Sequence, residues 1–465
     1  MRTLSAFPAF AALGLLILSQ LLAVPAQAQS LLRDAETEEF FRDIGKPLKE
    51  AAGLDPRAVN VGLVNDGSIN AFATLGQQVY FFSGLLIAAK DVREVQGVLA
   101  HELGHVAGGH AIRNNEGAAP ATSISLLSMV IAGALIAAGA GDAGMAAMMA
   151  GQQAAQGKYL AFSREQESRT DQAGARFLEA AGVDGVGMIS FFRQLQGDEY
   201  RLAIPQDNAY NRTHPLSGER ISALENVLER SPYWKKGADP KLQARYQRIR
   251  AKLIGYLSNP EDTLRAYPAA DRSQPAHVAR AYAYHKQSKA DLALAEIEAA
   301  MQVEPRDPYL MELRGQILLE SGRVNDALPD LRNAVAASDT DPLIASMLGH
   351  ALVLQGERDD NAALMAEAEK VLRSAIARDK ENPFAWLQLG TIYERRGDKP
   401  RTALATAERL SLTGGDPLAI NNAARSAVAG LDRGSPEWLR AQDIVLVSQE
   451  DIQRMKKRGN RDRRG

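Results

Sequence analysis

The run Val95-Gln96-Gly97-Val98-Leu99-Ala100-His101-Glu102-Leu103-Gly104-His105 decides what the first half of this chain is built around. From Asp91 the pattern is helical: Val95, Val98, Leu99 and Leu103 form one apolar stripe that continues through His105. Positions i and i+4 of a helix lie one above the other, about 6 Å apart along the axis, so His101 and His105 share a face. Two imidazoles at that spacing can reach one metal ion, and Glu102 beside them can take a proton from an attacking water. No Cys occurs in the chain, which excludes thiolate ligands and disulfides and leaves imidazole and carboxylate to hold a metal. The expected ion is Zn2+, one per chain.

Two His do not complete a catalytic site. A third His six residues after His105 is ruled out, because that position is Ala111. His110, five residues on, is turned off the shared face and reads as a helix-end residue. A better third ligand lies in Ser163-Arg164-Glu165-Gln166-Glu167-Ser168-Arg169-Thr170-Asp171. Glu167 and Asp171 are four apart and share a helix face, Glu167 to ligate the metal and Asp171 to hydrogen-bond the outer nitrogen of a ligating His. Glu165 competes as ligand, but it points about 200° round the same helix.

Upstream, Leu31 to Lys49 reads as an amphipathic helix, and Val59–Val64 and Val79–Phe82 as short strands with a turn at Asn65-Asp66-Gly67. Downstream, Gly117 to Gly141 carries no charge and approaches transmembrane length, yet its Ala, Gly, Ser and Pro120 weaken it. Two readings stand: a hairpin buried with the Met-rich stretch that follows, or a segment that touches a membrane surface. The N-terminus has Arg2, an apolar run from Ala6 to Val24 and then Ala26-Gln27-Ala28, the pattern of a cleaved secretory signal peptide, with a retained anchor as the alternative. The expected location is the periplasm.

The second half repeats. Asp307-Pro308, Asp341-Pro342, Asn382-Pro383 and Asp416-Pro417 place prolines 34, 41 and 34 residues apart, with an insertion around Glu357 to Ala363 in the middle step. Gly315, Gly349 and Gly390 follow three of these prolines by seven residues, and Gly322, Gly356 and Gly397 follow by seven more. A weaker copy starts at Pro275, with Ala281 at the small position. The first Gly lets two helices approach and the second ends the first helix, so the pattern is a tetratricopeptide-type helical array.

H-E-L-G-H, the later S-R-x-x-E-x-x-x-D and Asn70-Ala71-Phe72-Ala73 together resemble the gluzincin family of HtpX and CAAX prenyl endopeptidases, in particular its secreted branch with C-terminal tetratricopeptide repeats. The resemblance covers nearly the whole mature chain. It implies that His101, His105 and Glu167 bind zinc and that Glu102 is the catalytic base. Thr170 departs from the Ala usual before the Asp but is small enough to fit. Arg212-Thr213-His214-Pro215 also resembles a family segment. For His214 three readings stand: oxyanion stabiliser, reversible lid on the open zinc position, or loop residue. Tyr80 to Phe82 is either an edge strand that pairs with substrate or an ordinary core strand.

The expected fold is α+β and mostly helical, a gluzincin catalytic domain followed by an α-helical solenoid. The expected boundaries are a signal peptide at 1–28, the metalloprotease domain at 29–231, a helical connector at 232–270, repeats at 271–440 and a basic C-terminal tail at 441–465. The expected reaction is peptide-bond hydrolysis on polypeptide substrates, which by resemblance are stalled outer-membrane proteins and their assembly machinery, with peripheral membrane contact. A formal charge of −2 gives no reason to expect a nucleic-acid partner. The competing class is a periplasmic chaperone or adaptor that works through its repeats and keeps a structural zinc.

Overall fold

The computed structural model describes residues 31–137, 140–202, 214 and 216–462, so the segment read as a signal peptide lies outside the described residues. Asp34 accepts a hydrogen bond from the Thr37 backbone N–H at 2.9 Å and caps helix α1 (Ala35–Ala51). Leu31 and Leu32, expected to open that helix, instead form strand β1 and pair antiparallel with Val64 and Leu63. The cap at Asp34 starts the helix after them.

Strands β2 (Asn60–Val64), β3 (Ala71–Thr74) and β4 (Gln78–Phe82) complete a sheet in the order β1-β2-β4-β3. The two strands expected from sequence, β2 and β4, are parallel neighbours, and β3 pairs antiparallel with β4. Tyr80–Phe82 therefore has a strand on each side, and the substrate-pairing edge proposed for it is overturned. The edges are β1 and β3, and of the two it is β3 that runs beside the helix that carries His101.

Helix α2 (Ser83–Ala88) leads to α3 (Val92–Ala107), whose N-cap Asp91 accepts from the Arg93 backbone N–H at 2.8 Å. The stripe Val95, Val98, Leu99 and Leu103 is fully buried against Phe40 and Ile44 of α1 and Phe81 of β4. Helices α4 (His110–Ala137) and α5 (Gly141–Ala180) then form a long antiparallel hairpin. It closes through small residues: a Cβ on Gly151 would fall 2.0 Å from Ser128 Cβ. The large side chains consequently point outward, and Leu126, Leu127, Met129, Val130 and Met149 are each more than half exposed. The hairpin expected from the sequence is present; its expected burial is not. No helix among the described residues is long and apolar enough to cross a membrane.

Helices α6 (Val186–Leu202) and α7 (Gly218–Leu228) finish this half. Helix α8 (Pro240–Leu257) belongs to its core as well: Tyr246, Ile249 and Leu253 are buried there, and the Tyr246 hydroxyl donates to the carbonyl of Leu86 at 2.7 Å. After α9 (Pro260–Ala266) come five helix pairs: α10 (Gln274–Lys286) with α11 (Ala290–Met301), α12 (Pro308–Glu320) with α13 (Val324–Ala337), α14 (Pro342–Arg358) with α15 (Ala362–Arg378), α16 (Pro383–Arg395) with α17 (Lys399–Leu412), and α18 (Pro417–Gly430) with α19 (Pro436–Asp462).

The Asp-Pro and Asn-Pro dipeptides are N-caps followed by Pro at the first helical position, where its missing N–H costs nothing. Gly315 and Gly349 admit Leu331 and Leu372 of the partner helices, since a Cβ on either would fall within 2.7 Å of them. Gly322 and Gly397 end their helices at positive φ. Gly356 does not: the insertion after it lengthens α14 to Arg358, and Asp360, at φ 47°, makes the turn instead. The segment expected to be a tail continues α19 to Asp462, with Ala441 buried.

The solenoid holds the first helix of the N-terminal half. Arg248 of α8 joins Glu36 of α1 (2.6 Å) to Asp307 at the cap of α12 (2.8 Å), and Lys252 lies 2.8 Å from Asp34. Arg33 reaches Asp379 at 3.0 Å, and the Tyr309 hydroxyl donates to Glu39. Part of the repeat array is thus occupied by the chain itself.

Candidate metal centre

Helices α3 and α5 cross closely because each contributes a glycine at the contact. A Cβ on Gly104 would stand 2.9 Å from Thr170 Cγ2, and one on Gly174 would stand 3.3 Å from the backbone of Ala100. This approach sets Glu167 and Asp171 of α5 against His101 and His105 of α3.

Three separate elements supply donors to one point. His105 Nε2 lies 3.2 Å from His101 Nε2 and 3.3 Å from Glu167 Oε1, and His101 Nε2 lies 3.3 Å from Glu167 Oε2. His214, from the segment before α7, brings its Nδ1 to 3.3 Å from His101 Nε2 and 3.2 Å from both Glu167 oxygens. Donors bonded to zinc at about 2.0–2.1 Å in a tetrahedron stand about 3.3–3.4 Å apart, so these side chains fit a tetrahedral ion. Glu102 is completely buried, and neither carboxylate oxygen takes part in a hydrogen bond among the described residues; His214 Nε2 stands 3.6 Å from Oε1. A desolvated carboxylate of that kind is costly unless it has work to do.

Around the donors sits a frame. The His101 Nδ1–H donates to Asp171 Oδ1 at 3.0 Å, and Asp171 is gripped by Arg220 of α7 through Nε (2.7 Å) and Nη2 (2.9 Å). Arg220 Nη1 also reaches Glu167 Oε2 at 3.2 Å. The electrostatics are those of a site that wants a cation. Burial lowers the His101 pKa, but Asp171 and Glu167 outweigh it and push it up to about 10. Burial alone would raise Glu167; the charge of His214 and the hydrogen bonds of the two other His carry it well below the carboxylate range. His105 is held below the ordinary imidazole value, chiefly by burial. A metal that enters here replaces a proton as the positive partner of Glu167.

Residues 35–228 match peptidase family M48. The chain carries an M48 metallopeptidase domain. Over 398 residues it is 25% identical to the β-barrel assembly-enhancing protease of Yersinia pestis, across 83% of this chain and 78% of that one. The protein of the same name in Escherichia coli (strain K12) is 23% identical over 390 residues, 83% of this chain and 77% of the relative. Among solved structures the chain is similar to YrrB, a TPR protein with an unusual peptide-binding site, at 18% identity and TM-score 0.31 over 39% of this chain and 93% of that one. The M48 domain makes the chain a metalloprotease, followed by a tetratricopeptide-type solenoid.

The structure brings six of the residues singled out from sequence into one cluster: His101, Glu102, His105, Glu167, Asp171 and His214. Glu165 is not among them; it is exposed and pairs with Arg169. Two further residues touch the cluster with no role assigned to them by the sequence. Arg220 gave a faint signal, one turn before Leu224 and two before Leu228 on the buried face of α7. His110 is a helix-end residue, as expected, and starts α4; what spacing does not show is that the turn at Gly109 (φ 63°) sets its ring against His105.

Proposed function

We propose that this M48 protease is a periplasmic zinc endopeptidase that cleaves misfolded or stalled envelope polypeptides and recruits partners through its repeats. The convergence of His101 Nε2, His105 Nε2, Glu167 and His214 Nδ1, with the buried Glu102 carboxylate alongside, is the observation that carries it. His101, His105 and Glu167 would hold the zinc ion, which when bound polarises a scissile carbonyl and acidifies water. Glu102 takes the proton of the attacking water and returns it to the leaving amine. Asp171, fixed by Arg220, holds the His101 tautomer. The substrate backbone adds to the edge strand β3 beside the His101 helix.

His214 acts as a lid. Its Nδ1 stands where the fourth donor of a tetrahedron belongs, so it must leave before water and substrate can enter. The names of the relatives support clients of the β-barrel class, and the exposed apolar hairpin α4–α5 supports peripheral membrane contact.

One observation favours the competing class: with His214 in place the site offers four protein donors, as structural zinc sites do. The Glu102 carboxylate separates the two, because a structural site gains nothing from a buried, unbonded carboxylate. Glu102→Gln should keep zinc and lose hydrolysis of an unstructured peptide by about 10²–10⁴-fold. The same variant, used to trap clients in cells, should hold unfolded envelope proteins. Undiminished turnover by the zinc-loaded variant would remove Glu102 as the base.

A further inference from the structure

Each ligating imidazole has a second nitrogen, and for His105 the structure answers where it goes. His105 Nε2 faces His101 and Glu167, so Nε2 is the nitrogen offered to a metal. A neutral imidazole that ligates through Nε2 keeps its proton on Nδ1, and in a nearly dry site that N–H needs an acceptor. His110 Nδ1 lies 2.9 Å away. We infer that His110 is a positioning residue for the metal: its Nδ1 accepts the outer N–H of His105, as Asp171 accepts that of His101.

The ring of His110 is held for this. Thr170 packs beside it on one side, its Oγ1 3.3 Å from His110 Nδ1. On another side is Gly108, where a Cβ would fall 2.4 Å from His110 Nε2 and within 2.9 Å of two ring carbons. Gly108 has helical backbone angles, so its missing side chain makes room for the ring and not for a strained turn. The two outer partners differ in kind. His101 leans on a charged carboxylate locked by Arg220, His105 on a neutral ring wedged between Gly108 and Thr170. His105 is therefore the ligand whose orientation depends on packing.

The inference rests on the zinc reading above, and the experiment separates the two. Three variants of the full chain are loaded with zinc and, separately, with Co2+. His110→Asn places Oδ1 where Nδ1 was and keeps an acceptor. His110→Leu fills comparable space without one. Gly108→Ala leaves His110 in the sequence but drives its ring off His105. Zinc transfer to a chelator should be about tenfold faster or more in the Leu and Ala variants and within about threefold of wild type in the Asn variant. The visible spectrum of the Co2+ forms should shift in the first two and stay put in the third. Thermal unfolding of the metal-free proteins shows whether each variant folds, and if Leu does not, the contrast between Asn and Gly108→Ala decides. A folded Leu variant that holds zinc as wild type does, or an Asn variant as leaky as Leu, overturns the assignment. Wild-type protein that binds neither ion would instead sink the zinc reading, and this one with it.

Discussion

Replacing Arg248 by Met should loosen the solenoid from the protease half. The Arg248 side chain is 5% exposed and touches Glu36 of α1, whose side chain is 1% exposed, and Asp307 of α12, 12% exposed. Breaking a buried pair by removing one partner typically costs about 3–5 kcal/mol, because the other charge is left without compensation. Lys252 Nζ stays 3.0 Å from Glu36 Oε2, which places this case near about 3 kcal/mol on that scale. The third contact, to Glu304, adds little because that carboxylate is 55% exposed. A loss of about 3 kcal/mol lowers the unfolding midpoint of a unit of 150–250 residues by about 6–12 °C. Calorimetry of the zinc-loaded protein reads this directly, and the two halves should begin to unfold separately. The double variant with Glu36→Gln should recover part of the loss, since the most deeply buried of the carboxylates that Arg248 leaves behind is then neutral. Arg332→Met, which removes an exposed pair with Glu367, should move the midpoint by no more than about 2 °C. A single transition in Arg248→Met at the wild-type temperature would show that α1 is not held by the repeats.

The clasp should also have a pH window. Burial would raise the Asp34 carboxyl, but Lys252 outweighs it and lowers it, so its stabilisation is complete above about pH 4 and fades as pH falls below that. Lys252, raised well above its ordinary value by Asp34 and Glu36 against the effect of burial, contributes fully below about pH 10 and loses that contribution as pH rises further. Calorimetry at pH 3, 7 and 11 checks both limbs, and flat stability would refute the ion-pair account. His214→Ala should hydrolyse a short unstructured peptide faster than wild type while it keeps zinc, as expected of a removed lid. A fall of about tenfold or more with zinc retained, about 1.4 kcal/mol, would assign His214 to oxyanion stabilisation instead. A protease fragment ending after Leu257 should fold and bind zinc, whereas one ending at Ser231 should not, because it lacks the buried Tyr246, Ile249 and Leu253. Equal zinc content in the two fragments would move α8 out of the protease core.

His101, Glu102 and His105 are legible in sequence because a helix is a local structure: four residues make about one turn, so spacing alone puts two imidazoles on one face. The same holds for Glu167 with Asp171, and for the repeats, whose Asp-Pro caps and close-approach glycines act within a single helix pair. Parallel pairing of β2 with β4 had no such signal, because the hydrogen bonds join residues 18 apart and alternation within a strand is blind to its neighbour. The outward face of the α4–α5 hairpin was equally hidden. Apolar side chains read as buried until the small residues at the contact, Ser128 and Gly151, are seen to take the inside. His110 and Arg220 belong to the site only through a turn at Gly109 and the packing of α7 on α5, which no period in the chain encodes. Sequence determined which groups could do the chemistry, since that depends on residue type and on spacing within one helix. Which of them meet, and which strand is left as an edge, was decided by contacts between elements far apart in the chain.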